Sequence, residues 1–302
     1  MRTLSIAALQ TAPVAGDPER TLEALRTHAA AVRSTMPDVQ LLLLPELHLS
    51  APAPPLEPSI DPESVAVELP GPLSEALGEI ARDNELWLVP GSVYERAADG
   101  GVHNTAPVLS PAGDLVATYR KVFAWEPHED SVPGERFVTF EIPEVGNIGL
   151  AICYDASFPE SFRQLAWMGA EVVLHMSLTT TSDRAAEQVL ARANAIFNQL
   201  YVVSLNAAGP AGLGRSLIVD PEGIVRFEAG SGEELITDVL DLDAVTRVRE
   251  HGLAGVSRLW RQIERRRGEV ELPMYDGDLS ARAPSPGSAR GSSGPSSPDG
   301  LR

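Results

Sequence analysis

The sequence predicts an α/β fold, in which apolar strands alternate with amphipathic helices along most of the chain. Three observations support this prediction. Short runs rich in Leu, Val and Ile recur, segments with helical spacing of apolar residues separate them, and turns containing Gly or Pro lie between the two. The 302 residues are enough for two domains. Large layered folds often exceed about 200 residues as one unit, so we expect a single folded domain over residues 1–280.

The first half of the chain begins with a strand over residues 1–10, whose apolar core is too short for a secretory signal. Asp17 is suited to cap a helix that has Pro18 at its first position and continues over residues 19–34. The apolar residues of this helix recur at helical spacing, namely Leu22, Leu25, Ala29 and Val32. The pattern then predicts a strand over 41–45, a Pro-rich loop over 51–62, a helix over 73–83 and a strand over 86–93.

The second half continues this alternation around recognisable turns. Two short strands flank a turn at residues 111–114, residues 145–152 are suited to an interior strand, and Pro159 favours the start of a helix. Further along, we predict a helix over 161–168, a strand over 171–175, a long helix over 183–198, a strand over 201–205 and a hairpin over 216–227. Ser, Pro, Gly and Arg dominate residues 281–302, which predicts a disordered tail.

The composition excludes several classes of function. With 24 Lys and Arg against 42 Asp and Glu, the formal charge is -18, which disfavours nucleic acids and anionic membranes as partners. No stretch approaches the length of a membrane span, and a single cysteine cannot form a disulfide within the chain. We therefore expect a cytoplasmic protein with a small-molecule substrate.

The sequence gives no sign of a metal or cofactor. The six histidines show no paired ligand spacing, and one cysteine cannot build a thiolate cage. The glycine-rich loop over residues 209–215 lacks the strand-to-helix setting of a dinucleotide site. We therefore predict that the protein uses neither.

Cys153 is the most informative residue, because it lies where an interior strand gives way to the start of a helix. Backbone N–H groups at such a bend, including that of Tyr154, can hold a developing oxyanion. The pattern favours a nucleophile, although a lone cysteine is also compatible with a small buried apolar residue.

Two other charged residues follow apolar strands. Glu46 ends the run of residues 41–45, and Lys121 ends the strand after the 111–114 turn. Taken alone, each is also compatible with a structural role at a loop or a strand end. Together with Cys153, they supply the base, the cation and the nucleophile that amide hydrolysis through a thioester requires.

With these segments in order, the chain resembles the nitrilase, or carbon–nitrogen hydrolase, superfamily over nearly all of residues 3–276. Three segments carry the chemically active residues of the resemblance: Leu44-Pro45-Glu46, Tyr119-Arg120-Lys121 and Cys153-Tyr154-Asp155. Further matching segments are residues 6–10, 104–105, 158–160, 198–203, 206–209, 214–216 and 221–223. The resemblance implies a four-layer α-β-β-α sandwich and a homodimer or larger homo-oligomer that associates through helices.

The resemblance also implies roles for individual residues. Cys153 is similar to the family nucleophile, Glu46 to its general base and acid, and Lys121 to the ammonium that stabilises the tetrahedral intermediate. A second glutamate occurs in a Trp-x-Pro-x-Glu context in amidase-like members, which matches Trp125 to Glu129 here. Glu129 is therefore the candidate for this role, ahead of the two alternatives Glu126 and Glu135.

The branch of the family is less sharply indicated. Tyr154-Asp155 replaces the Trp-Glu of nitrilases, and Ala156 and Ser157 stand where some carboxylate-binding members carry arginine. Phe197 replaces a glutamate that many members have. We therefore expect a small neutral or weakly polar primary amide as the substrate.

The residues leave two other functions open. One is hydrolysis of an N-carbamoyl amine or amino acid, and the other is a non-catalytic scaffold of the same fold. Trp125 and His175 are candidates for lining the substrate pocket, and His48 is a further, weaker one.

Overall fold

The computed structural model describes residues 1–51, 61–266, 268–272 and 277–278. Most of the expected Pro-rich loop and all of the expected C-terminal tail lie outside the described residues. The strands, in chain order, are β1 Thr3–Gln10, β2 Leu41–Leu43, β3 Trp87–Val89, β4 Val93–Arg96, β5 Val102–Leu109, β6 Leu115–Arg120, β7 Thr139–Ile142, β8 Gly146–Ile152, β9 Val172–Ser177, β10 Tyr201–Asn206, β11 Leu217–Val219, β12 Val225–Glu228, β13 Glu234–Asp241, β14 Glu271–Leu272 and β15 Gly277–Asp278. The helices are α1 Pro18–Thr35, α2 Pro62–Val65, α3 Pro72–Asp83, α4 Pro159–Trp167, α5 Arg184–Asn198, α6 Leu242–His251 and α7 Leu259–Arg265.

Two large sheets organise the described part of the chain. The first sheet has the order β13-β1-β2-β3-β5-β4, with β6 paired to β5, and the second has the order β12-β11-β10-β9-β8-β7. The centre of each sheet is parallel, over β1-β2-β3 and β8-β9-β10. Because parallel neighbours end at the same edge, residues that follow β2 and β8 are brought to one end of each sheet.

The sheets stack face to face, and helices cover their outer faces. The inner core contains fully buried side chains from both sheets, for example Ile6, Leu150 and Leu174. Helices α1 and α3 pack on the first sheet through Leu25 and Leu77. Helices α4 and α5 cover the second through a cluster that contains Phe162, Ala191 and Ala195. Burying each large aliphatic side chain contributes roughly 1.5–3 kcal/mol. The expected four-layer α-β-β-α arrangement is confirmed.

Helix α1 shows how the local sequence fixes an element. The side chain of Asp17 accepts a hydrogen bond from the Arg20 N–H, and Pro18 occupies the first turn, where its missing N–H has no helical partner to lose. Leu25, Ala29 and Val32 are buried as their spacing predicts. Thr21 is also buried, because its hydroxyl donates to the Asp17 carbonyl.

Two strands differ from the sequence-based expectation. The strand expected over residues 86–93 is divided into β3 and β4, because Pro90 lacks an N–H and Gly91 has a left-handed φ of 86°. The strand expected over 41–45 ends at Leu43, although the Leu44 N–H still donates to the Val89 carbonyl at 2.9 Å. Both changes occur beside the Leu44-Pro45-Glu46 segment, which β3 and Gly91 contact.

The sequence did not predict β7, β13, α6 or α7. Strand β13 pairs antiparallel with β1 over eight residues at the edge of the first sheet. Leu235 and Val239 are exposed while Ile236 and Leu240 are buried, so apolar residues occupy both faces and the alternation is masked. In the described part of the chain, none of the helices combines the length and apolar character needed to cross a membrane.

Candidate active site

The candidate residues come from both sheets. Glu46 follows β2 and Lys121 follows β6 in the first sheet, whereas Cys153 follows β8 in the second. The carboxylate and ammonium are therefore presented by one layer and the thiol by the other. Their relative position depends on how the two sheets stack.

Lys121 lies at the centre of a buried cluster. Its Nζ donates to Glu129 Oε2 at 2.6 Å and to Glu46 Oε1 at 3.2 Å, and its side chain is 2% exposed. The amide of Asn104 bridges the same two glutamates, with Nδ2 at 2.9 Å from Glu46 Oε1 and 3.0 Å from Glu129 Oε1. The structure thus brings three of the sequence-predicted residues into direct contact.

Glu46 is held through both carboxylate oxygens. Its Oε2 accepts the Leu178 N–H at 2.8 Å, while its Oε1 accepts from Lys121 and Asn104. The next residue, Leu47, has a left-handed φ of 51° and donates its N–H to the Ser92 hydroxyl at 3.0 Å. The carboxylate is therefore fixed in orientation before any substrate binds.

The carboxylate of Glu129 is also held by donors other than Lys121. It accepts hydrogen bonds from the Trp125 N–H at 3.1 Å and the Ser131 hydroxyl at 2.8 Å. The alternatives Glu126 and Glu135 are both exposed. Of the three glutamates considered for this role, Glu129 is the one in contact with Lys121.

Cys153 opens a short 3-10 turn, Cys153–Ser157, directly after β8. Its φ of 45° is left-handed, a conformation that costs a non-glycine residue roughly 1–3 kcal/mol and persists only where the surroundings enforce it. The sulfur lies 4.0 Å from the Thr179 hydroxyl. The sharp bend expected from the sequence is present, and the helix that follows starts at Pro159.

Asp155, in the 3-10 turn that begins at Cys153, forms hydrogen bonds with residues on either side of Lys121. This buried carboxylate accepts hydrogen bonds from the Tyr119 hydroxyl at 2.7 Å and from the N–H groups of Ile152 and Phe123 at 2.8 and 3.0 Å. Tyr119 and Phe123 lie on either side of Lys121 in the chain. Asp155 therefore couples the two sheets close to the sulfur.

His175 contacts the backbone of Cys153. It is fully buried, its Nε2 lies 2.9 Å from the Cys153 carbonyl oxygen, and its Nδ1 lies 3.2 Å from the Ser204 hydroxyl. Burial lowers the pKa of His175, so we assign a neutral ring. This residue supports the backbone of Cys153 and is not among the residues that line the adjacent cavity.

The electrostatics of the cluster keep the thiol protonated at rest. Burial raises the pKa of Cys153 well above its usual range, and the negative charge of Glu46 raises it further, while Lys121 opposes both. Burial likewise raises the pKa of Glu46. Cys153 therefore needs a base at the moment of attack.

The other two ionisable groups of the cluster, Lys121 and Glu129, remain charged. Burial acts to lower the pKa of Lys121, but the negative charges of Glu46 and Glu129 and the hydrogen bond to Glu129 outweigh it and raise that pKa well above the usual range. Burial acts to raise the pKa of Glu129, but Lys121 and the surrounding donors outweigh it and lower that pKa. The lysine is therefore a permanent cation and Glu129 its permanent partner.

A cavity of about 90 Å³ adjoins the sulfur. Trp125 and Tyr154 contribute to its walls, together with Leu178, Thr179, Glu187 and Leu190. Trp125 is thus beside the cavity, as the sequence suggested, and Tyr154 follows Cys153 in the 3-10 turn.

Three contributors to this site were missed in the sequence. Asn104 was noted only as part of a matching segment, because the polar residues His103 and Thr105 flank it in β5 and its burial is visible only in the structure. Thr179 and Glu187 gave no signal, because their meeting beside Cys153 depends on how the start of α5 packs against the end of β9.

A buried carboxylate and ammonium from one sheet, facing a cysteine from a second sheet, define the site of a layered α/β hydrolase. The sequence pattern of the carbon–nitrogen hydrolase family matches residues 5–250, and the chain belongs to this family. It is a hydrolase that acts on carbon–nitrogen bonds other than peptide bonds.

Individual relatives agree with this assignment. An (R)-stereoselective amidase from Pseudomonas sp. is 34% identical over 236 residues, which cover 76% of this chain and 81% of the relative. The crystal structure of Saccharomyces cerevisiae Nit3, a member of branch 10 of the nitrilase superfamily, has a TM-score of 0.74 at 27% identity and covers 82% of this chain and 94% of its own. An amidase from Nesterenkonia sp. AN1, solved as a cysteine-to-alanine variant with butyramide, has a TM-score of 0.68 at 26% identity and the same coverage of both chains.

Proposed function

We propose that this protein is a cysteine-dependent amidase that converts a small primary amide and water into a carboxylic acid and ammonia through a thioester on Cys153. The observation that carries the proposal is the buried contact of Lys121 with Glu46 and Glu129 beside a protonated thiol. The cluster contains a base, a fixed cation and a nucleophile, which are the groups that acyl transfer from nitrogen to sulfur requires.

In the first step, Glu46 takes the proton of the Cys153 thiol as the sulfur attacks the amide carbonyl carbon. The carbonyl oxygen gains negative charge, which the ammonium of Lys121 and the N–H of Tyr154 stabilise. Electrostatic stabilisation of this kind is worth about 10²–10³ in kcat for one donor. Glu129 does not move this proton; it holds Lys121 in place and keeps it charged.

In the second step, Glu46 returns the proton to the leaving nitrogen, the C–N bond breaks and ammonia departs. The acyl group remains on the sulfur as a thioester. Glu46 then removes a proton from a water molecule, whose oxygen attacks the thioester carbonyl. As the C–S bond breaks and the carboxylic acid leaves, Glu46 returns this proton to the sulfur, which restores the thiol and the carboxylate. One carboxylate therefore acts as base and acid in each half of the reaction.

The preferred substrate is a small primary amide. The Nesterenkonia amidase binds butyramide, and the cavity beside Cys153 has the size of a short acyl group. An N-carbamoyl amine would release carbon dioxide as well as ammonia, and a scaffold would release neither, so the products separate the three functions.

Two further expectations accompany this function. We propose that the protein is cytoplasmic and that it assembles as a homodimer or larger homo-oligomer. The exposed apolar residues on the outer helical layer, Val189 and Phe197 of α5, support the second expectation.

A panel of amides, carbamoyl amines and nitriles tests the function through released ammonia and carbon dioxide. Wild-type protein is expected to release ammonia from amides without carbon dioxide, and Cys153→Ala is expected to lose essentially all turnover while keeping its circular dichroism spectrum. Acid quenching during turnover should trap an acyl group on the peptide that contains Cys153, detected by mass spectrometry. Ammonia release by Cys153→Ala at the wild-type rate would overturn the proposal.

A further inference from the structure

The cavity beside Cys153 is the space left for the acyl substituent of a substrate. Cys153 forms part of its wall, whereas Glu46, Lys121 and Glu129 do not. The leaving nitrogen has to approach Glu46, and the carbonyl oxygen has to approach Lys121. The remaining group on the carbonyl carbon must therefore enter the cavity.

The charged groups of this cavity wall are carboxylates, whereas its hydroxyl groups, on Tyr154, Ser157, Thr179, Thr180 and Thr181, can donate as well as accept. Asp183 and Glu187 are the ionisable residues of its wall apart from Cys153 and Tyr154, and among the described residues that line it there is neither a lysine nor an arginine. A substituent with a carboxylate would meet the carboxylates of Asp183 and Glu187, of which Glu187 alone is paired with a buried arginine, Arg184. The lining therefore discriminates against anionic acyl groups.

Thr179 adds an acceptor whose direction is fixed. Its hydroxyl donates to Glu187 Oε1 at 2.6 Å, so its hydrogen is committed and only lone pairs are offered to the cavity. The hydroxyl oxygen is 4.0 Å from the sulfur, which is within reach of a substituent on the attacked carbon.

Glu187 is held in place by a buried arginine. Its Oε2 accepts from Arg184 Nη1 at 2.7 Å, and Arg184 also donates to the carbonyl oxygens of Gly214 and Arg215, both at 3.1 Å. Arg184 is 1% exposed and compensates the charge of Glu187, so Glu187 contributes a fixed acceptor. Asp183, exposed at the start of α5, contributes net negative charge at the mouth.

Trp125 forms the aromatic part of the same wall and is 38% exposed. The face of an indole ring attracts cations. Apolar contacts from Leu178 and Leu190 complete a pocket with an aliphatic lining and acceptors in fixed positions.

We infer that the substrates are amides whose acyl group carries a protonated amine, bound by Thr179, Glu187 and Asp183 beside the ring of Trp125. The inference rests on the proposed amidase function and names its substrate class. The amine is the donor-rich, positively charged group that this lining accepts, and a primary alkylamine is protonated near neutral pH because its pKa is about 10.

Three amides with chains of nearly equal size test the inference. Pentanamide is neutral, 4-aminobutanamide carries an ammonium and succinamate carries a carboxylate. We expect kcat/KM, measured by ammonia release at neutral pH, to be about 10-fold higher for 4-aminobutanamide than for pentanamide, as one charge-assisted hydrogen bond allows, and lowest for succinamate.

Variants then assign the preference to the cavity. Asp183→Asn and Glu187→Gln are each expected to reduce the ratio of kcat/KM for 4-aminobutanamide to that for pentanamide by about 3-fold or more, whereas Asp38→Asn, an exposed carboxylate before β2, keeps the wild-type ratio. The amine changes the intrinsic reactivity of the carbonyl equally for every protein, so this effect cancels when the ratio for a variant is compared with the ratio for wild type. If Glu187→Gln does not fold, the ratio measured for Asp183→Asn alone tests the inference, because Asp183 is exposed and its substitution is expected to leave the fold intact.

A wild-type ratio of one or less overturns the inference, and so does a ratio that neither variant changes. If none of the three amides yields ammonia, the proposed function itself fails. If pentanamide is hydrolysed without any preference for the ammonium, only the inferred substrate class fails.

Discussion

At the scale of single residues, the candidate site is defined by charged side chains that are buried together. Glu46, Lys121 and Glu129 share a pocket in which one cation serves two carboxylates. Burial raises the pKa of Glu46 while Glu129 keeps its charge, so the two glutamates in contact with one lysine have different chemistry. Glu46 is the better base because it is the less stabilised anion.

Replacement of Glu46 by glutamine should separate activity from stability. The Glu46→Gln variant is expected to lose about 10²–10⁴-fold in kcat, because the base is gone. The folded pKa of wild-type Glu46 is raised, so its contribution to stability is fully present below the ordinary value of 4.5 and is lost as pH rises through the folded pKa. The melting temperature of Glu46→Gln relative to wild type should therefore rise with pH toward neutrality.

Thermal melts across this pH range check the stability prediction, with Glu126→Gln at the exposed neighbouring glutamate as the control. The control should track wild type at every pH. A melting temperature of Glu46→Gln that falls relative to wild type as pH rises would show that ionised Glu46 stabilises the fold instead.

Loss of the lysine charge should impair both folding and catalysis. The Lys121→Met variant leaves two buried carboxylates without a cation, which is expected to destabilise the protein by about 3–5 kcal/mol. Its kcat should fall about 10²–10³-fold because the oxyanion loses a donor.

A second substitution separates the two effects of losing Lys121. The Lys121→Met/Glu129→Gln double variant removes one of the uncompensated charges, so denaturant unfolding should show that part of the lost stability returns. Its activity should stay low. Recovery of kcat in the double variant would show that Lys121 acts only by compensating charge.

At the scale of elements, the sequence could predict Glu46, Lys121 and Cys153 because each lies at or shortly after the end of a strand, whereas Glu129 was predicted from the resemblance alone. Cys153 after β8 is the example in which an abrupt change of residue type identified the strand end. Contacts between elements were beyond such reasoning. His175 lies in β9 as predicted, but only the packing of β9 against the 3-10 turn turns its ring toward the Cys153 carbonyl. Asn104 bridges two glutamates because of the strand order within the first sheet and the course of the loop after β6, which local pattern does not encode.

The break between β3 and β4 also has a purpose that only the structure reveals. Gly91 allows the backbone to pass close to the residue before Glu46, since a Cβ at this position would lie 1.8 Å from the Pro45 carbonyl oxygen. Together with the Ser92 hydroxyl that receives the Leu47 N–H, this turn fixes the backbone on both sides of Glu46.

Substitution of Gly91 by alanine should therefore displace the backbone next to Glu46, although Gly91 itself is not a candidate catalytic residue. Gly91→Ala combines a φ of 86° with a backbone clash, and we expect a loss of about 3 kcal/mol or more in unfolding free energy together with a lower kcat/KM. Gly100→Ala is the matched control, because its φ of 89° is nearly the same but no atom lies within 4 Å of the added Cβ. Urea unfolding and ammonia release compare the two variants. Equal losses in both would assign the effect to φ alone.

At the scale of the whole molecule, the candidate active site depends on how the two sheets stack, because each sheet supplies part of it. Asp155 fastens the Lys121 segment to the Cys153 turn at one end of the sheets, and at the other end Arg2 before β1 binds Glu171 before β9 at 2.8 Å. The layers were predictable because the resemblance covers nearly the whole chain. The edge strand β13 was not, because apolar residues occupy both of its faces.

The outer helical layer bears on the state of the molecule in solution. Phe197 of α5 is 53% exposed and borders a surface groove with Leu259 and Ile263. Large apolar side chains in such positions are typical of interfaces between subunits, so we expect wild-type protein to sediment as a homodimer or larger assembly. Phe197→Glu places a charge in the interface and should shift sedimentation toward the monomer.

Ile224→Glu is the matched control for this shift, because Ile224 is 59% exposed but lies in the turn between β11 and β12 and is not among the residues that line the groove beside Phe197. It should leave the assembly intact, since a charge in a solvated turn opposes no contact between subunits. Wild-type protein that sediments as a monomer at all concentrations would refute the assembly. Equal dissociation of both variants would refute α5 as its contact surface, because the general addition of negative charge to a chain of net charge -18 would then explain the result.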